Sequence, residues 1–240
     1  MINNQKIILF RTITIGILYM IFFYITFKYI WDKGFVSLEE INNTNIFQRF
    51  CQDFMLSLIL PIILLIKYRK NIGELGFTNK NIGLSILLFA IYLLFLLLHS
   101  DYTAGGFYRF IFYLIMVGFP EEIIMRGYIY LRIKPINRTM AVIISGIIFG
   151  AVHAIMPGIL SGNSISWIGL DMLNYIGGGI VGGLLFIFCM ELSGNILVAI
   201  LIHSLLDYSY GPLGFIILLL TLGYLILKNR KSVKINHEVS

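Results

Sequence analysis

Long apolar runs separated by short polar segments dominate this chain. A helix that crosses a bilayer needs roughly 20 mainly apolar residues. Eight stretches approach that pattern: Thr12–Trp31, Phe50–Ile66, Ile82–Leu98, Phe107–Leu131, Thr139–Ala154, Ile168–Met190, Asn195–Tyr208 and Leu213–Leu227. The seventh is short, so it must tilt, be buried among its neighbours or lie partly in the interface. The sixth contains Asn174 and the run Gly177-Gly178-Gly179, which with Gly182-Gly183 permits close helix packing. No internal repeat is visible. The pattern predicts an all-α fold, a polytopic membrane helix bundle of about eight transmembrane helices.

Composition agrees. Of 240 residues, 58% are hydrophobic and 12% charged, whereas soluble domains carry about 25% charged residues. The formal charge of +6 would suit a nucleic-acid partner, but the basic residues fall between the apolar runs, as topology charges do. Nucleic acid is therefore excluded as a partner. With the N-terminus inside, the cytoplasmic segments hold Lys6, Arg11, Lys67, Arg69, Lys70, Lys80, Arg126, Arg132, Lys134, Arg138, Lys228, Arg230, Lys231 and Lys234. That is 14 of the 18 Lys and Arg; Lys28, Lys33, Arg49 and Arg109 make up the outer four. The asymmetry predicts a multi-pass protein of the cell membrane with both termini cytoplasmic. Lys6 and Arg11 precede the first run as in a signal peptide. That run reaches Trp31 without a small-residue cleavage site, and it reads as a retained span. Cys51 and Cys189 sit in or beside apolar runs, which is no disulfide framework. The segment Lys70–Phe77 reads as an amphipathic connector, Asp53 as a partner for Arg49, and the basic tail from Lys228 as an anchor to anionic lipid.

Against this background four polar sites stand out, all in the second half. Glu121, Glu122 and Arg126 lie inside the fourth run, and ionised groups at membrane depth cost at least a few kcal/mol each. Glu122 and Arg126, spaced i,i+4, can pair; Glu121 then points about 100° away, toward another neighbour. Phe149 and His153 share a face of the fifth run. His203 and Asp207 share a face of the seventh, and Asn195, after Ser193-Gly194, is placed to cap it. At about 1.5 Å rise per residue, Glu121 lies roughly 15 Å, His153 roughly 20 Å and His203 roughly 12 Å from the cytoplasmic ends of their spans. The three can therefore meet near mid-membrane, somewhat open to the cytoplasm.

Such a set suits hydrolysis without a covalent nucleophile. A desolvated glutamate serves as a general base toward water. A histidine beside it can hold the same water, and a second histidine with a neighbouring polar group can donate to the developing oxyanion. No His-Glu-x-x-His zinc helix occurs. Two histidines and a carboxylate on separate helices can nonetheless bind a divalent metal, which keeps a metalloprotease open.

The order Glu-Glu-x-x-x-Arg (Glu121, Glu122, Arg126), Phe-x-x-x-His (Phe149, His153) and Asn-Ile followed by His-x-x-x-Asp (Asn195, Ile196, His203, Asp207) resembles the CPBP family. These are the CAAX prenyl proteases and bacteriocin-processing or bacteriocin-immunity intramembrane proteases, also called the Abi family. The resemblance covers roughly Phe107 to Tyr208. It implies an eight-helix bundle with an intramembrane cavity, in which Glu121 and His153 activate water and His203 and Asp207 form the oxyanion hole. Glu122, Arg126, Phe149 and Asn195 then support the site structurally. It further implies a glutamic-type endopeptidase with no cofactor required, although the family was earlier regarded as metal-dependent. The best-described family members carry Asn where this chain has Asp207. An ionised Asp cannot donate to an oxyanion, so Asp207 is either protonated or accepts a hydrogen bond that orients His203.

Three regions follow: residues 1–106 with the N-terminal spans and connector, 107–208 with the CPBP-like segment, and 209–240 with the last span and tail. The expected partners are the lipid bilayer and a membrane-associated peptide or protein substrate. Bacteriocin processing, self-immunity and CAAX-type processing are the candidate roles. A non-catalytic membrane scaffold or immunity protein and a proton-coupled transporter are the competing readings.

Overall fold

The computed structural model describes residues 2–238, with side chains described from 3 to 231. The side chain of Lys234, in the predicted basic tail, lies outside that range, as do Met1, Val239 and Ser240. The described residues form eight helices and no strand. These are α1 (Ile2–Gly34), α2 (Ile46–Tyr68), α3 (Ile82–His99), α4 (104–133), α5 (Arg138–Leu160), α6 (Ile165–Ser193), α7 (Ile196–Tyr208) and α8 (Leu213–Glu238). Six of them, α1, α2, α3, α5, α6 and α8, are long and apolar enough to cross a membrane. The other two differ for physical reasons. α7 has 13 residues, and α4 carries the Glu121, Glu122 and Arg126 charges within a broken helical ladder.

Several helices outrun their apolar stretches. α5 continues past Ala154 and through Pro157 to Leu160, and α8 continues past Leu227 into its polar end. Hydropathy ends where the bilayer would end, whereas helix formation does not require apolar residues.

One core joins the two halves of the chain. Tyr19, Leu64, Leu88 and Tyr92 from the first three helices pack with Ile123, Ile129, Val152, Ile187 and Ile202. Close crossing of α5 and α6 depends on glycine. A Cβ on Gly146 would stand 2.6 Å from the Ile180 Cα, and one on Gly179 would stand 2.5 Å from the Gly146 carbonyl oxygen. Contacts that tight exclude any side chain.

The two ends of the bundle differ. At one end, the segment after α2 forms a short 3-10 turn, Ile72–Leu75, and docks on the α6–α7 junction. The Ile196 amide donates to the Gly76 carbonyl at 2.9 Å, and Thr78 Oγ1 to the Gly194 carbonyl at 2.6 Å. Glu191 there meets Lys134 and Arg138, each at 2.7 Å, and Lys228 Nζ donates to Asn81 Oδ1 at 2.5 Å. At the other end, a buried network clamps the α1–α2 loop. Arg49 Nε donates to Asp53 Oδ2 at 2.6 Å and the Tyr108 hydroxyl to the same oxygen at 2.7 Å, while Arg49 also bonds the Val36 carbonyl. The pairing of Asp53 with Arg49 is thus present. Cys51 and Cys189 are unpaired.

Candidate active site

The middle of α4 sets the geometry. Pro120 has no N–H to give to the preceding turn. On either side the ladder widens into π-helical stretches, Phe112–Gly118 and Ile123–Tyr130, which leave one α-helical turn, Phe119–Glu122, between them. π-Bulges inside helices frequently mark functional sites because they re-aim side chains. Here they separate the two glutamates. Glu122 is fully buried, and the Glu121 side chain is 22% exposed.

Glu122 looks inward. Its Oε1 lies 3.1 Å from Arg126 Nη1 and accepts from His203 Nδ1 at 2.8 Å. Arg126 is itself buried, with its guanidinium 4.3 Å from the Phe149 ring centre and 4.9 Å from that of Phe186. Aromatic faces stabilise a desolvated cation. Gly183 makes the space, since a Cβ there would stand 3.3 Å from Arg126 Nη2. The sequence pattern counts Arg126 among the cytoplasmic topology charges; the structure corrects this, placing it in the bundle interior.

Glu121 looks toward α5 and α7. Its Oε2 lies 3.8 Å from His153 Nε2 and 3.6 Å from His203 Nε2. These separations exceed a direct hydrogen bond. No protein hydrogen bond engages Glu121 Oε2. His153 Nδ1 lies 2.7 Å from the Phe149 carbonyl. A carbonyl only accepts, so Nδ1 carries the proton and Nε2 offers a lone pair in the neutral ring. Pro157 likewise lacks the N–H that would occupy the His153 carbonyl. The His203 ring stacks on Phe186 at 4.5 Å and 14°. With Nδ1–H donated to Glu122, His203 Nε2 is an acceptor in the neutral ring and a donor in the imidazolium.

Asp207 Oδ2 lies 3.6 Å from His203 Nε2, too far for a direct hydrogen bond. The contact that fixes the His203 ring comes from Glu122, which corrects the expectation that Asp207 orients it. Asp207 instead lines a cavity of about 270 Å³ with His99, Asp101, Arg109, Tyr113 and Ser209. Arg109 pairs with Asp101, whose carboxyl is held below the usual range by hydrogen bonds from the Thr103 hydroxyl and amide. A second cavity of about 260 Å³, between α5 and α6, is lined by His153, Asn174 and Tyr175.

Asn195 does not join the cluster. It caps α7, accepting from the Leu197 amide at 3.1 Å, and donates to the Lys80 carbonyl at 3.2 Å. Eight residues of helix, about 12 Å, separate it from His203. The motif pattern alone does not find two further neighbours of the cluster: Phe186 under His203, and Tyr113, which lines a cavity with Asp207. Aromatic residues are so common in this chain that neither of them carries a signal in the sequence.

Among the described residues, no group of three or more His, Cys, Asp or Glu side chains is arranged to hold a metal ion. One nitrogen of each histidine is spent on a protein acceptor, and the two remaining Nε2 atoms face one carboxylate oxygen. Histidines held through Nδ1 in this way leave Nε2 available to water or to a divalent metal.

Residues 103–209 match a family model described as "Type II CAAX prenyl endopeptidase Rce1-like". No curated protein and no solved structure matched the chain. The matched stretch runs from the start of α4 to the end of α7 and contains Glu121, Glu122, Arg126, His153, His203 and Asp207; over these residues the chain is similar to the CPBP/CAAX protease family.

Proposed function

We propose that this chain is an intramembrane glutamic-type endopeptidase that hydrolyses a peptide bond of a membrane-associated peptide or precursor. The observation that carries this reading is the convergence of His153 Nε2 and His203 Nε2 on Glu121 Oε2, at 3.8 and 3.6 Å, from three separate helices. A structural ion pair has no need of two histidines on one carboxylate oxygen.

The chemistry follows from the placement. A water bridging Glu121 Oε2 and His153 Nε2 gives a proton to the carboxylate as its oxygen attacks the scissile carbonyl. The developing oxyanion accepts from His203 Nε2–H in the imidazolium form, which Glu122 holds through Nδ1. The C–N bond then breaks as Glu121 passes the proton to the leaving amine. Asp207, at the edge of this arrangement, adds negative charge near His203 without touching it. Family analogy suggests bacteriocin processing, self-immunity or CAAX-type processing as the role.

The test is mass spectrometry of membrane peptides from cells carrying the wild-type chain or Glu121→Gln. A peptide that accumulates uncut only with Glu121→Gln identifies the substrate. Identical profiles, with both chains present at equal level, would remove the protease reading in favour of a scaffold.

A further inference from the structure

Between α1, α2 and α4 lies a cavity of about 320 Å³ that holds none of the Glu121, His153 or His203 side chains. Most of its wall is apolar, with Leu18, Phe22 and Ile63 among the lining residues. Leu18 and Ile63 are more than half exposed, so the cavity opens on the flank of two helices long and apolar enough to cross a membrane. Two hydroxyls interrupt that wall. Tyr19 and Tyr128 line the cavity at 5% exposure each, and among the described residues neither hydroxyl has a hydrogen-bond partner. A phenol taken out of water normally has one. Tyr68, with its ring 6.5 Å from that of Tyr128, shows the usual case, since its hydroxyl accepts from Arg132. Two cations stand at one end. Lys67 lines the cavity with its ammonium 5.5 Å from the Tyr68 ring centre. On the facing helix, Arg11 shares the face of α1 that carries Ile15, Leu18 and Phe22, and precedes Ile15 by one turn. The end of α1 meets the start of α2 through the Gly34–Gln52 hydrogen bond, so the two helices run antiparallel and Arg11 and Lys67 come to the same end. Among the described residues neither meets a carboxylate, whereas Arg132, Lys134 and Arg138 each pair with Glu74 or Glu191.

We propose that this cavity binds one anionic phospholipid, with an acyl chain along Leu18, Phe22 and Ile63, the phosphate between Lys67 and Arg11, and lipid oxygens accepting from the Tyr19 and Tyr128 hydroxyls. The apolar wall by itself selects nothing, because lipid tails are as apolar as the side chains they meet. Selection comes from the polar groups. Two buried hydroxyls without acceptors favour a ligand that brings phosphate and ester oxygens into the cavity. Two cations without carboxylates favour a headgroup whose phosphate is not neutralised by an ammonium of its own, as at other basic pockets between transmembrane helices. Tyr128 belongs to the π-helical stretch that follows Glu122. A lipid held there bridges the first two spans to the helix that carries Glu121. The site stands whether or not the chain is a protease.

Native mass spectrometry of the full chain in detergent, titrated with phosphatidylglycerol or phosphatidylcholine, tests this. The wild-type chain is expected to hold one phosphatidylglycerol about 10–30-fold more tightly than phosphatidylcholine. Lys67→Gln and Arg11→Gln should each weaken phosphatidylglycerol about fivefold. Tyr19→Phe and Tyr128→Phe, which keep the rings, should weaken both lipids. Leu18→Trp, which fills the cavity from its exposed side, should remove the tight site. Arg230→Gln, on an exposed residue of α8, should change nothing. Lys67, Arg11 and Leu18 are exposed, so their variants leave the core intact, and thermal unfolding checks this. Equal binding of the two lipids by the wild-type chain would overturn the site. So would a loss with Arg230→Gln as large as with Lys67→Gln, which would reduce the effect to surface charge, or wild-type affinity in Leu18→Trp. Glycerol 3-phosphate that displaces phosphatidylglycerol as readily as the lipid displaces itself would make this a site for a free phosphate and overturn the lipid.

Discussion

Among the described residues, two buried arginine–carboxylate pairs share the i,i+4 spacing, and they are built differently. Arg49 and Asp53 sit at 2% and 5% side-chain exposure, Glu122 and Arg126 at 0% and 1%. In the first pair the hydrogen bonds close on themselves. Asp53 accepts from both Arg49 and Tyr108, Arg49 also reaches the Val36 carbonyl, and none of their buried atoms is left without a partner. In the second, no Arg126 nitrogen makes a hydrogen bond of good geometry within the protein, and Glu122 Oε2 makes none either. Charge and two aromatic faces hold the guanidinium, and Glu122 spends its hydrogen bond on His203. A satisfied buried network rigidifies; one left partly unsatisfied signals another job. The Arg49 pair clamps a loop, whereas the Glu122 pair holds a histidine beside Glu121.

The strongest way to break this comparison is to remove the reacting group. Glu121→Gln is expected to lower peptide hydrolysis by about 10²–10⁴-fold with the melting temperature in detergent unchanged, while Asp53→Asn leaves the rate per folded molecule intact. Equal rate losses for the two variants would erase the distinction. Next come the arginines. Arg49→Met and Arg126→Met should each destabilise by about 3–5 kcal/mol, the usual cost of leaving one member of a buried pair alone. Only Arg126→Met should also slow the folded fraction, because it unsettles Glu122 and with it the His203 ring. Thermal unfolding read beside the rate per folded molecule separates the two effects. Asp207→Asn should stay within about tenfold of wild type, since no direct hydrogen bond is lost at that separation; complete inactivity would make Asp207 a participant. The smallest effect belongs to Asn195→Ala. It should cost about 1 kcal/mol of stability as a lost helix cap and leave hydrolysis untouched.

Much of the fold was legible in the chain because a bilayer imposes a simple rule. Apolar length marks most of the helices, and their number agrees with the alternation of Lys and Arg. The rule fails where helices outrun hydropathy, as α5 does through Pro157, and where charges interrupt apolar length, as in α4. At the site, the spacing of Glu121, His153 and His203 pointed to convergence, and the three lie together in the structure. The division of labour between Glu122 and Asp207 was not readable. Both lie within reach of a histidine on paper, and only the π-helical stretches around Pro120 decide that Glu122 swings inward to His203 Nδ1. Arg126 misled for a related reason, since a cation near a span end reads as topology until its aromatic partners Phe149 and Phe186, from other helices, are seen around it.

The central claim is that Glu121 and His153 act as one unit on a single water, which a double-variant cycle tests directly. Hydrolysis of the identified peptide would be timed with the wild-type chain, Glu121→Gln, His153→Ala and the double variant, each at equal folded concentration. Groups that act together lose their contribution once, so the double variant is predicted to be no slower than Glu121→Gln alone. Losses that multiply, with the double variant slower by the product of the two single effects, would show independent roles and contradict the account.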